Sequence, residues 1–168
     1  MQTLLRPAEP EDAAHVAEIL IGSRMEFMPF APSAHPDSEV RHWVRDVLLP
    51  TTQATVAVAD GNIVVGVLAC SRKDGRSWID QLMLHPAHVG QGIGSRLLAH
   101  ALATMPAPVR LYTFQQHLRA RKFYERHGFV AIEFTDGSSN EERVPDVLYE
   151  LARSPAGERA SFSSTSTS

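Results

Sequence analysis

The chain has 168 residues, 43% of them hydrophobic and 21% charged, a size that buries roughly 70% of its unfolded surface around one core and is thin for two. A formal net charge of −3 and a pI near 6.2 argue against a general nucleic-acid binder, which presents a basic excess; no apolar run approaches the ~18 residues of a membrane span, and MQTLLRPAEPEDAA does not read as a secretory signal. One cysteine, Cys70, excludes an intramolecular disulfide and a cysteine-based zinc cluster, so the expectation is a cytoplasmic protein with neither a membrane nor a nucleic-acid partner.

Thr3-Leu4-Leu5-Arg6 reads as a short first strand, ended by Pro7 and Pro10. Glu11 and Asp12 then lead an amphipathic helix, because His15, Val16, Ile19 and Leu20 fall at helical spacing and acids favour the N-terminal end of the helix dipole. Residues 24–37, RMEFMPFAPSAHPD, hold three prolines among aromatics and methionines, a pattern that predicts an irregular apolar segment rather than a helix. Ser38 is placed to cap a second helix from Glu39 to about Leu49, with Val40, Trp43, Val44, Val47 and Leu48 as its buried stripe and Pro50 as its stop.

Three strands follow, Ala54–Ala59, Ile63–Cys70 and Trp78–Leu84, the first two joined by Asp60-Gly61-Asn62 in an antiparallel hairpin. Cys70 closes an apolar run and reads as a small core residue rather than a nucleophile. From Ile93 on, the positions Ile93, Leu97, Leu98, Ala101 and Leu102 give one apolar helix face, ended by Pro106 and Pro108; Val109–Phe114 is the next strand. A helix from about Leu118 to Arg126 has Gly128 as its left-handed C-cap, and Phe129–Phe134 and Asp146–Leu151 complete the strands. Strand, glycine loop, helix and strand in that order make one parallel crossover inside a mainly antiparallel sheet, an α/β fold of the α+β kind. After Arg153 the composition changes to SPAGERASFSSTSTS, which predicts a flexible tail at 154–168 and leaves 1–153 as the domain.

Function is written most plainly in residues 88–98, HVGQGIGSRLL, where Gly90, Gly92 and Gly94 run directly into a helical pattern. Such spacing lets successive backbone N–H groups point at one anion at a helix N-terminus. A dinucleotide fingerprint counted from Gly92 would need glycine at Leu97 and an acid near position 114, and a Walker loop would need Lys-Ser/Thr where Ser95-Arg96 stand. Alone, the three glycines read either as a diphosphate cradle or as a turn that caps a helix.

About 30 residues after HPAHVGQGIGSRLL comes ARKFYERHGF at 120–129, preceded by the strand-like LYTF and by Gln115-Gln116-His117. The two motifs in this order resemble the GCN5-related N-acetyltransferase (GNAT) family over roughly residues 3–151. The resemblance implies a mixed sheet with helices on both faces and acetyl-CoA as co-substrate. It implies backbone contacts to the pantetheine arm from Leu82, Met83 and Leu84, and a diphosphate site over Val89, Gly90, Gln91, Gly92, Ile93, Gly94 and Ser95. Val89 departs from the family pattern, which has Arg or Gln there, and His117 stands where Asn is common and is kept as a cofactor contact.

The resemblance also places Tyr124 beside the cofactor sulfur, where a phenol of ordinary pKa near 10 is a fitting acid toward a thiolate. Neutralising an alkylammonium of pKa near 10.4 costs roughly 4.6 kcal/mol at pH 7, so a base or proton wire is expected. Asp80 is the first candidate, sharing a strand face with Leu82 and Leu84 by period-two alternation; a strand-end carboxylate bonded to backbone amides is the other reading. His35 is the second candidate. Met25, Phe27, Met28 and His35 lie in the segment that walls the acceptor site in the family and imply an apolar, adaptable pocket, to which Glu141 and Glu142 can add carboxylates. His85 and His88 do not form a metal motif, since Pro86 keeps the pair out of a helix, and no metal is expected. The expected function is direct acetyl transfer to an amine, foremost a small molecule. A protein N-terminus or lysine as acceptor, and an acyl-CoA-sensing module with little turnover, are the alternatives; a homodimer is compatible with the family.

Overall fold

A computed structural model describes residues 2–153; the stretch expected to be a flexible tail lies outside the described residues. The strands are β1 (Leu4–Pro7), β2 (Gln53–Ala59), β3 (Ile63–Lys73), β4 (Arg76–Leu84), β5 (Val109–Phe114), β6 (Val130–Phe134) and β7 (Asp146–Leu151). They form one sheet in the order β1-β2-β3-β4-β5-β7-β6. Every pairing is antiparallel except β4 with β5. The helices are α1 (Ala13–Phe27), α2 (Asp37–Trp43), the single turn α3 (Leu49–Thr51), α4 (Ile93–Thr104) and α5 (Leu118–Arg126). At the β2–β3 turn Gly61 and Asn62 both have positive φ, the geometry that matches the right-handed twist of a tight hairpin.

Alternation along the strands sends apolar side chains to both faces. Val16, Ile19 and Leu20 of α1 pack with Val44, Leu48, Val56 and Val67 on one side. Leu97, Leu98 and Ala101 of α4 pack with Leu68, Ile79, Leu111, Tyr124 and Tyr149 on the other. Each fully buried aliphatic side chain contributes about 1.5–3 kcal/mol, so the two layers fix both helices against the sheet. Gly66 of β3 is what lets α4 seat: a Cβ there would lie 2.7 Å from Leu84 Cδ2 and 3.2 Å from Leu97 Cδ1.

The parallel pair is short and then opens. Only Ser77 with Val109 and Trp78 with Arg110 are in register, and this junction is pinned by the Ser77 hydroxyl, which donates to the Pro106 carbonyl at 2.6 Å. One residue later β4 carries a bulge: Ile79 pairs with Cys70 and Gln81 with Ala69, leaving Asp80 as the extra residue. A bulge bends its strand and adds twist, and beyond this one β4 stays paired with β3 but no longer with β5.

Two readings of the helices are corrected. Residues 24–27 belong to α1, which ends at Phe27; the first proline comes only at Pro29, so nothing breaks the helix before Met28. The second helix starts at Asp37 with Pro36 as its N-cap residue, leaving Ser38 inside it. It then widens into a π turn at Val44–Leu48, where the Leu49 N–H donates to the Val44 carbonyl. This i to i+5 spacing lets Pro50, which has no N–H, sit within α3 instead of stopping the helix ahead of it. Val44 and Leu48 are buried, whereas Trp43 and Val47 are exposed.

Candidate functional site

Where β4 parts from β5 a cleft of about 550 Å³ opens. Its walls bring together Leu82, Met83 and Leu84 from β4, Val89, Gly90, Gly92, Gly94 and Ser95 from the glycine loop and α4, and His117, Phe123 and Tyr124 from α5. Gly90 and Gly92 have φ of 77° and 81°, a left-handed backbone that glycine alone adopts without strain. A Cβ at either would meet nothing within 4 Å, so both residues border open space. Gly92 is the N-cap residue of α4 and offers no side-chain cap; the N–H groups of the first turn are left for a ligand, at the positive end of the helix dipole.

The side chains beside the loop are held by neighbours. The Ser95 hydroxyl shares a hydrogen bond with His127 Nε2 at 3.1 Å, and burial, with Arg126 nearby, pushes the His127 pKa down. His117 caps α5: its Nδ1 accepts from the Ala120 N–H at 3.4 Å, which leaves the proton of the neutral ring on Nε2. Burial, and secondarily Arg119, lowers its pKa too, so His117 meets the cleft as a neutral donor. Gln91 and Ile93 are not part of the lining. Gln91 is exposed and the Ile93 side chain is buried in the α4-side core, so only their main chain can face a ligand.

Tyr124 is buried, its ring set edge-on to Phe123 and Phe129 at 5.2 Å and 5.6 Å. Burial first, and Cys70 second, raise its phenol above the ordinary value near 10, so it holds its proton throughout the neutral range. Cys70 itself is pushed up to about 12, by burial and then by Asp80. A thiol so far from ionising is a core group, as its sequence context implied.

A second cleft of about 950 Å³ lies on the α1–α2 side of the sheet. Met25, Met28 and His35 line it, and Met83 lines both clefts. Phe27 does not: it lines the β4–β5 cleft, with the Arg119 guanidinium 5.2 Å from its ring centroid. The polar and aromatic part of the second wall includes Arg24, Asp37, Glu39, Trp43, Gln81, Glu141 and Glu142. Arg24 Nη2 donates to Glu142 Oε1 at 3.1 Å and Nη1 to the Ala31 carbonyl at 2.8 Å. His35 Nδ1 and Nε2 each stand 2.9 Å from a carboxylate, of Glu39 and Glu141 respectively. These bonds, Glu141 first, raise the His35 pKa.

Asp80 is corrected by this geometry. It lines neither cleft, and the bulge breaks the alternation that placed it with Leu82 and Leu84; Ile79 shares their core cluster instead. One carboxylate oxygen of Asp80 is buried without a hydrogen-bond partner.

The family profile described as the GNAT acetyltransferase family matches residues 20–129. The chain belongs to the GNAT family of acetyltransferases. The apo solution structure of YjaB from Escherichia coli superposes with a TM-score of 0.72 at 25% identity, covering 89% of this chain and 97% of that one. The PaiA N-acetyltransferase of Thermoplasma acidophilum, solved in complex with coenzyme A, gives 0.71 at 21% identity, over 90% and 99% of the two chains. A GCN5-related N-acetyltransferase from Rhodopseudomonas palustris gives 0.70 at 24%, over 90% and 96%. No curated protein matches the chain. Among the described residues no helix of this acetyltransferase is long and apolar enough to cross a membrane.

Sequence reasoning missed the basic face of α5. Arg119, Lys122 and Arg126 all line the cleft that holds the glycine loop. Their spacing of three and four residues puts them on one face of a helix, a signal present in LRARKFYER. Arg24 was missed for a different reason: its carboxylate partner, Glu142, lies 118 residues away.

Proposed function

We infer that this acetyltransferase moves the acetyl group of acetyl-CoA directly to a small-molecule amine, without an acyl-enzyme stage. One observation carries the reading: Gly90, Gly92 and Gly94, the free edge of β4 and Tyr124 border a single cleft, which meets the acceptor-side cleft at Met83. The cradle fits a diphosphate, since Gly90 and Gly92 border open space that any other side chain would enter, the first turn of α4 has no side-chain cap, and Arg119, Lys122 and Arg126 add positive charge along the cleft. Acetyl-CoA supplies the activated acyl group.

Main-chain groups of Leu82 to Leu84 align the pantetheine arm, and first-turn amides of α4 hold the diphosphate. Tyr124 keeps a proton on its phenol oxygen for the departing sulfur, since its raised pKa leaves the phenol protonated throughout the neutral range. His35 is no base, because both ring nitrogens are bonded to carboxylates, and Asp80 lies outside both clefts. The ammonium therefore loses its proton to water in the open acceptor cleft, and kcat/KM rises with pH toward the pKa of the acceptor amine. A concavity of about 950 Å³ fits a small molecule.

Thiol release from acetyl-CoA, followed over a panel of amines from pH 6 to pH 10, tests the reading. Amine-dependent release that climbs with pH is expected. Binding of acetyl-CoA without release for any amine, peptides included, would instead establish an acyl-CoA-sensing module.

A further inference from the structure

The acceptor cleft has an apolar lip that stands bare. Met25 is 75% exposed and Trp43 40% exposed, although both line a concavity of about 950 Å³. Large apolar side chains left uncovered around a hollow mark a place for an apolar ligand. Methionine adapts to irregular shapes, and the indole face also attracts a cation. Nothing in acetyl transfer to a polar amine requires such a lip.

Charge narrows the ligand further. Four carboxylates, Asp37, Glu39, Glu141 and Glu142, share this wall with one arginine and one histidine. Arg24 is already engaged with Glu142 and a backbone carbonyl, and His35 with Glu39 and Glu141. Asp37 has no ion-pair partner among the described residues. The cleft thus presents excess negative charge and no uncommitted cation to receive an anionic group.

We propose, on the basis of the acceptor reading above, that the substrate is a hydrophobic monoamine: one cationic amino group on an aromatic or branched aliphatic body that carries no carboxylate or phosphate. The carboxylate excess draws the ammonium in and repels an acid. Trp43, Met25 and Met28 hold the body, and Met83, common to both clefts, marks where the amino group reaches the acyl donor.

The test uses the full chain with acetyl-CoA and three probes, phenethylamine, phenylalanine and spermidine, followed by thiol release and by calorimetric binding. Phenethylamine should exceed both others in kcat/KM by about tenfold or more. Trp43→Ala should raise its KM about fivefold while holding kcat within about twofold. Equal turnover of phenylalanine and phenethylamine, a preference for spermidine, or an unchanged KM in Trp43→Ala would overturn the proposal. So would absence of phenethylamine binding, even if some other amine is acetylated. Phenethylamine binding without thiol release would support the ligand class while sinking the transfer reaction itself.

Discussion

The two clefts of this acetyltransferase are built by different means. The β4–β5 cleft takes most of its wall from two short stretches, 82–95 and 117–126, and its central feature is backbone: positive-φ glycines, an uncapped helix N-terminus and a strand edge released by a bulge. The cleft on the α1–α2 side gathers side chains from 20–43, 81–83 and 141–142 and is tied across by His35 and Arg24, which reach partners 106 and 118 residues away. A ligand shared by a whole family can be met by main-chain geometry. A ligand particular to one protein has to be met by side chains that can vary without disturbing the fold.

If that division holds, variants in the first cleft should cost the reaction most. Tyr124→Phe should lower kcat about a hundredfold, with the KM for acetyl-CoA nearly unchanged, as expected for loss of a general acid; steady-state kinetics check it, and lost affinity with intact kcat would refute the acid role. Gly92→Val comes next. A β-branched residue forced to φ near 81° stores about 1–3 kcal/mol of strain, which should weaken acetyl-CoA binding about tenfold or more by calorimetry. Gly94→Ala is the control within the same loop, because its Cβ would sit in ordinary contact 3.7 Å from Leu84 and Phe123, and its affinity should change little.

The second cleft should respond to pH. His35 has its pKa raised by Glu141 and Glu39, so the clasp stabilises the fold fully below the ordinary histidine value of 6.5 and loses that contribution as pH rises through the higher folded value. The pair is solvent-exposed, so the effect is small. Melting temperatures of the native chain and His35→Gln should differ by a few degrees at about pH 5.5 and converge near pH 9; a gap that widens in alkali would contradict it. Least of all should happen with Asp80→Asn. One of its carboxylate oxygens is buried without a hydrogen-bond partner and the residue lines neither cleft, so kcat should stay within about threefold and stability should change little.

Particular residues show why one region was legible and the other was not. The bulge at Asp80 is set by pairing with Ala69 and Cys70, and no local pattern announces where a partner strand gains a residue; period-two counting therefore failed there. The π turn at Val44–Leu48 hid in the same way, since proline was expected to stop the helix rather than widen it. Phe27 and Met28 are adjacent, yet the helix turn sends them to different clefts.

By itself the sequence determined the strand and helix order, the single parallel crossover, the glycine-loop helix start and the family, because each is encoded in contiguous residues whose periodicity and backbone preferences act locally. Tertiary structure alone decided which carboxylates line the second cleft, that His35 is clasped rather than free, and that Asp80 stands apart from both clefts. Those outcomes depend on strand register and on side chains brought together across more than a hundred residues, where no local energy term carries the information.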